Sequence, residues 1–281
     1  MKKFITGCVL FSGLTLALLC SGCQGSAVHS LASAFGGRRV SADSERVQKT
    51  FEFNDIRSLR AMNSVIVHYA QDSVASVRAE APAEVMDVAV VRMAPDGELQ
   101  VELESNNKFR FRNDSERLHV YVNAPGLSAI NAFSGSQVDC TTPLTLTGAL
   151  DIITGSGASI DFGDLYAGCV KAVSTSGASI SFSTVRSDML DLYASTGSSI
   201  DADSVVCRFA ELVAETGASI RAAGEAESGE VSAMTGGSTN ARRLHIKKGE
   251  LQAFTGGSVK AYVDEVTRKE ISGGGSVKNK E

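Results

Sequence analysis

The chain has 281 residues, 43% of them apolar and 21% charged, with 27 Gly, 4 Pro, no Trp and a formal net charge of −5. That balance is enough to build a folded core and excludes a disordered chain. Abundant Ser, Thr, Val and Ile beside so few Pro favour β-structure over helix.

In chain order the first predicted element is a signal peptide. Lys2 and Lys3 form its charged start, residues 9–20 a short apolar run, and Ser21 and Gly22 the small residues before Cys23. The run is too short to cross a bilayer, which takes about 20 apolar residues. Leu19-Cys20-Ser21-Gly22-Cys23 resembles the lipobox of bacterial lipoproteins, in which the cysteine after a small residue receives a diacylglycerol and becomes the new N-terminus. Cys20 stands where that pattern usually has Leu. The resemblance implies removal of residues 1–22 and lipid attachment at Cys23. Acyl burial at about 0.8 kcal/mol per methylene then holds the mature protein on a membrane without spanning it. The expected location is the bacterial cell envelope, as an outer-membrane lipoprotein, with the periplasmic and outward-facing sides both open.

Three cysteines remain after processing, Cys140, Cys169 and Cys207, in an exported domain where disulfides are permitted. Their spacings of 29 and 38 match no zinc pattern, and no Cys-x-x-Cys is present. They read as small buried hydrophobes, with no metal site and no cofactor expected.

Residues 23–47 are Ser-, Ala- and Gly-rich and read as a flexible tether. From 48 to 126, irregular leading strands are expected from alternating apolar positions: Val65, Val67 and Tyr69; Leu99, Val101 and Leu103; Leu118, Val120 and Val122. Residues 85–93 read as a further strand turned by Asp96-Gly97 into the next, with a short helix over 81–91 as the competing assignment.

From 127 to 281 the chain repeats itself. Phe-Ser-Gly-Ser-Gln-Val near 135 is followed by Gly-Ala-Ser-Ile at 157, 177 and 217, Gly-Ser-Ser-Ile at 197, and Gly-Gly-Ser units at 236, 256 and 274. The intervals between these glycines are 22, 20, 20, 20, 19, 20 and 18 residues. Aligned on that glycine, the columns five, three and one places before it read Ile152, Thr154 and Ser156 in one unit and Leu212, Ala214 and Thr216 in another. Three and five places after it stand Ile160 and Phe162, then Ile220 and Ala222. Two period-two faces around a Gly corner, recurring about every 20 residues, predict an all-β parallel solenoid whose coils stack about 4.8 Å apart. The chirality of parallel crossovers makes a right-handed β-helix the expectation. The glycine is expected to supply positive φ at the corner, and the serine two places later (Ser159, Ser179, Ser199, Ser219, Ser238, Ser258, Ser276) a hydroxyl ladder. A serine repeated in every coil answers a corner's demand, whereas a catalytic residue is unique.

The order of landmarks resembles a known family, the auto-transporter adhesin head domain called the GIN domain, found on bacterial envelope proteins. The match runs over residues 50–278: Phe53-Asn54-Asp55-Ile56, the strand at 64–69, Asp96-Gly97-Glu98-Leu99-Gln100-Val101, the segment 122–130, and the Gly-x-Ser repeats. The resemblance implies a β-helical fold on an exported, lipid-anchored protein with an adhesive role, and it brings no catalytic motif. The Gly-Gly units at the end depart from it.

Two outward columns carry charge. Six places before the glycine stand Asp151, Asp191, Glu211, Glu230 and Glu250, interrupted by Lys171; four places after it stand Asp161, Ser181, Asp201, Arg221, Asn240, Lys260 and Lys278. The acidic column lacks the Gly-Gly-x-Gly-x-Asp pattern of calcium-loaded solenoids. Arg242, Arg243, Lys247 and Lys248 make the far end basic, and a solvated face or an anionic glycan or headgroup fits that sign. Basic residues are not interleaved with aromatics, which argues against nucleic acid. His29, His68, His119 and His245 lie far apart in no motif, and with 5 Tyr and no Trp there are few platforms for sugars, so no enzyme is expected. The functional expectation is a binding protein, an adhesin for a glycan or surface protein. A self-associating envelope scaffold is the alternative, and a polysaccharide-active enzyme follows it.

Overall fold

A computed structural model of the chain describes residues 37–41, 44–104, 109–140 and 142–279. Cys23, His29 and the predicted signal peptide lie outside the described residues. Residues 37–281 form one compact unit.

The architecture is a β-solenoid of about eight turns with coils of about 20 residues. Strands Ala129–Ala132, Ala149–Thr154 and Cys169–Ser174 pair in parallel, and long bent strands continue the stack from Ser179–Ala194 to Ser258–Ile271. In the stretches flanking each corner alternate side chains point inward, so Ile152, Leu192, Leu212 and Leu251 stack as one buried column, and Ile160, Ile180, Ile200 and Ile220 as another. The repeat columns predict two inward runs per coil. A third lies on the return stretch, where Leu144, Leu165, Val185, Val205 and Leu244 are also fully buried.

The corner differs from expectation in two details. Ser156, Ser176, Thr196 and Thr216 are exposed and have φ between 49° and 55°, and the following glycines have φ near 70°. The column one place before the glycine therefore leaves the strand and joins the turn, because two consecutive left-handed residues bonded across, as in Ala178 N–H to Thr175 C=O at 3.2 Å, make a type I′ turn. The ladder along the corner is also backbone. From Gly135 to Gly236 the corner glycine N–H donates to the Ser or Thr carbonyl of the next coil, as in Gly177 to Thr196 at 3.1 Å and Gly197 to Thr216 at 3.1 Å, and Gly256 donates to the Gly273 carbonyl at 2.9 Å. Ser159, Ser179 and Ser199 share register but form no hydroxyl-to-hydroxyl bond with one another among the described residues.

The Gly-Gly units have a packing cause. A Cβ at Gly237, Gly257 or Gly275 would come within 2.2 Å of a backbone oxygen of the preceding coil, whereas the same position holds Ala158, Ala178 and Ala218 earlier in the stack. The 19-residue interval has its own device. The strand Ser219–Ala233 is one residue short against its neighbour, and Gly224, at φ +125°, takes up the register shift between Ala202 and Val205.

The leading strands do not stack in chain order. Ser58–Ala61 lies between Glu98–Leu103 and Ala129–Ala132, and Ile66–Gln71 lies between His119–Ala124 and Gln137–Cys140, all parallel. Antiparallel strands close this end: Ser76–Pro82 runs against His119–Ala124 and Arg46–Phe51, and Ala89–Met93 against Glu98–Leu103. The turn at Gly97 joins that last pair as predicted, but residues 85–93 divide into a short helix, Ala83–Met86, and the strand Ala89–Met93. Some residues assigned to the tether also carry structure. Arg38–Arg39 pairs with Phe109–Arg110, and Arg38 reaches Glu84 at 2.7 Å.

Candidate functional site

The outer flank of the pre-corner sheet carries the most continuous surface. In register from coil to coil stand Asn131, Ile153, Val173, Tyr193, Val213, Ser232 and Gln252. Ile153 is 40% exposed, and Val173, Tyr193 and Val213 are half-buried. At about 4.8 Å per coil these four make an apolar strip some 15 Å long, held flat by the sheet beneath it. The Tyr193 hydroxyl donates to Glu215 Oε2 at 2.7 Å, and burial together with that carboxylate raises its pKa.

The predicted acidic column runs along one side of the strip in the expected order, and Arg268 ends it beside Glu250. Lys171 sits 3.8 Å from Asp191. Glu211 has carboxylates on both sides, and burial, then Asp191 and Glu230, push its pKa above the ordinary value. The second outward column also stacks as predicted, and its charges partly cancel: Arg221 Nε is 3.2 Å from Asp201 Oδ1, and Ser181 donates to Asp161. In the basic region Lys248 pairs with Glu265 at 2.8 Å, and Arg242 and Arg243 stay exposed.

The structure brings together a pair that sequence spacing kept apart. His68 and His119, 51 residues apart, stand 3.0 Å from each other, with rings stacked at 5.3 Å. Tyr121 stacks on His68 at 4.9 Å and lies under Arg78 at 4.2 Å. His119 Nε2–H donates to the Asp114 carbonyl at 2.8 Å, which leaves its Nδ1 to accept from His68 Nε2–H; His68 Nδ1 lies 3.4 Å from Asp139. A second proton on His119 would face an N–H, and burial, with the His68 and Arg46 charges, holds its pKa below the ordinary 6.5. The ring nitrogens of the pair face each other, the Asp114 carbonyl and the Asp139 carboxylate. Among the described residues no group of three or more His, Cys, Asp or Glu is placed to hold a metal ion.

This pair predicts a pH dependence. Because the folded pKa of His119 is depressed, the unfolded chain binds more protons below pH 6.5, and stability falls as pH drops from there until the folded pKa is passed. Asp139, also depressed, adds its loss at lower pH, below 3.8. Denaturation midpoints measured between pH 7.5 and 5 will decline, with a slope of at most about one proton, and will be flatter in His119→Asn.

Cys140 and Cys207 are buried free thiols, as expected, while Cys169 is half-exposed. Burial, aided by Asp139 and Asp161, raises the Cys140 thiol, and burial pushes Cys207 up to about 11, so neither is a ready thiolate.

Residues 53–281 match the family model described as "Putative auto-transporter adhesin, head GIN domain". Among solved structures, one described as a "putative adhesin" from Parabacteroides distasonis superposes with a TM-score of 0.73 at 13% identity, covering 86% of this chain and 100% of its own. A second "putative adhesin", from Parabacteroides merdae, gives 0.71 at 14% identity over 86% of this chain and 99% of its own. A protein described as a "putative lipid binding protein", also from Parabacteroides distasonis, gives 0.51 at 15% identity over 87% of this chain and 100% of its own. None of the curated proteins matches the chain.

Proposed function

Because the chain belongs to the auto-transporter adhesin head GIN domain family, we propose that it is a lipid-anchored adhesin of the bacterial outer membrane, held by Cys23 and facing outward. The observation that supports this reading is the strip Ile153, Val173, Tyr193 and Val213. Apolar side chains set in register on a solvent-facing sheet, rimmed by carboxylates, are what a docking face offers and what a merely solvated flank avoids. The scaffold needs no rearrangement to present it, so little ordering entropy opposes binding. No catalytic role accompanies it.

The test is a double substitution, Val173→Asp with Tyr193→Asp, made in cells that carry the full chain. Both side chains point away from the core, so the melting temperature of the purified protein stays within a few degrees. Attachment of the cells to immobilised glycoproteins and matrix proteins falls at least tenfold. Unchanged attachment removes the strip from the account. A self-associating scaffold is the second reading, since Ser276–Asn279 pairs on one side only among the described residues. Lys278 stands on that edge, and lysine there opposes strand addition.

A further inference from the structure

A cleft of about 220 Å³ opens where the solenoid meets its antiparallel closing strands, lined by Arg60, Met62, Arg92, Gln100, Val101 and Glu102. Register places Arg92, Gln100 and Arg60 in one outward row, which Asn131 and then Ile153 continue along the flank. Most polar atoms of the row are engaged. Arg92 Nε donates to Gln100 Oε1 at 2.8 Å, Gln100 Nε2 donates to Glu98 at 2.7 Å, and Arg92 Nη2 lies 3.8 Å from Glu102. Arg60 is different. Its Nη1 is 4.0 Å from Glu98, beyond hydrogen-bond length, and its Nε–H is shielded from water and has no partner, while the side chain as a whole is 43% exposed.

A guanidinium offers paired N–H groups along its edge, spaced to match the two oxygens of an oxyanion. The Nε–H of Arg60 is closed to the cleft, so a ligand there meets the terminal nitrogens of that guanidinium, whose side chain is 43% exposed and whose Nη1 stands 4.0 Å from Glu98. Two arginines set against Glu98 and Glu102 leave a local charge near zero, which suits a single negative charge better than a doubly charged phosphate. Gln100 and Glu102 add a donor and acceptors fit for hydroxyls, and the part-exposed Met62 offers an apolar contact for the face of a sugar ring.

We propose that this cleft binds the oxyanion of an acidic sugar, a carboxylate or a sulfate ester, held by Arg60 and Arg92. The site deepens the adhesin reading and rests on it for its biological partner: a charged glycan unit would seat in the cleft while the rest of the partner lies along the strip beginning at Ile153. The binding itself is measurable without any cell surface.

Calorimetric titration of the full chain in detergent tests it, with trigalacturonate as the carboxylate probe, a sulfated galactan oligosaccharide as the sulfate probe, and neutral galactotriose. The expected result is binding of at least one anionic probe, none of the neutral one, and a loss of at least tenfold in affinity in Arg60→Gln with an unchanged melting temperature. Which probe binds assigns the source of the oxyanion. Val173→Asp with Tyr193→Asp keeps the affinity for these short probes, so failure of the strip and failure of the cleft are read separately. No binding of either anion at millimolar concentration, equal binding of the neutral probe, or wild-type affinity in Arg60→Gln overturns the proposal.

Discussion

Replacing Gly224 with alanine will cost about 3 kcal/mol of stability or more, while the same replacement at Gly217, seven residues earlier, will cost about 1–2 kcal/mol. Both glycines have positive φ, +125° and +71°. They differ in what surrounds them. A Cβ at Gly217 meets nothing within 4 Å, so the cost there is the left-handed backbone alone. A Cβ at Gly224 would lie 2.0 Å from the Val205 carbonyl oxygen and 2.6 Å from the Val205 nitrogen, both backbone atoms that cannot turn aside. Relief requires the two coils to separate at the point where the strand Ser219–Ala233 absorbs its missing residue. Urea denaturation of the two variants checks this. Equal midpoints would show that the register shift is not held at Gly224.

The second large effect lies in the lumen. Phe162 and Phe182 stack at 5.1 Å with rings 11° apart, and both are buried. The column they occupy narrows at once to Ala202, Ala222, Ala241 and Ala261. Phe182→Ala therefore leaves a cavity between the Phe162 ring and Ala202 that neither neighbour can fill, at about 3–5 kcal/mol. Val74→Ala, at a side chain 69% exposed, is the control and will change stability by under about 0.5 kcal/mol. A denaturation midpoint for Phe182→Ala close to that of the control would mean that the lumen collapses around the loss.

The solenoid was legible because each coil restates the same constraints. Ile160, Ile180, Ile200 and Ile220 occupy one column in the sequence and one column in the fold, and a strand's period of two assigns their direction without further information. The closing end was not legible for the opposite reason. Glu98–Leu103 and His119–Ala124 stack on the far side of the coil that precedes them in the chain, so no repeat interval reports the contacts Arg60–Gln100 or His68–Tyr121. The residues of the cleft and of the histidine pair come from that region. The apolar strip stood between two categories: Ile153 and Val173 alternate with the buried column and are as apolar as the core, so only register on the sheet tells them from it. The left-handed Thr196 and Thr216 were missed because a β-branched residue rarely takes that conformation, and the turn bonding of every coil overrules the preference.

We propose above that the solenoid is anchored through Cys23 and faces outward. Proteolytic shaving of intact cells that carry the full chain, followed by detection of the folded unit and of a periplasmic marker protein, tests it most directly. The unit is expected to be lost from the cells while the marker is untouched, and Cys23→Ser is expected to leave the unit off the membrane. Survival of the unit in cells whose lysate is digested by the same protease would place it inside the outer membrane and contradict the adhesin reading.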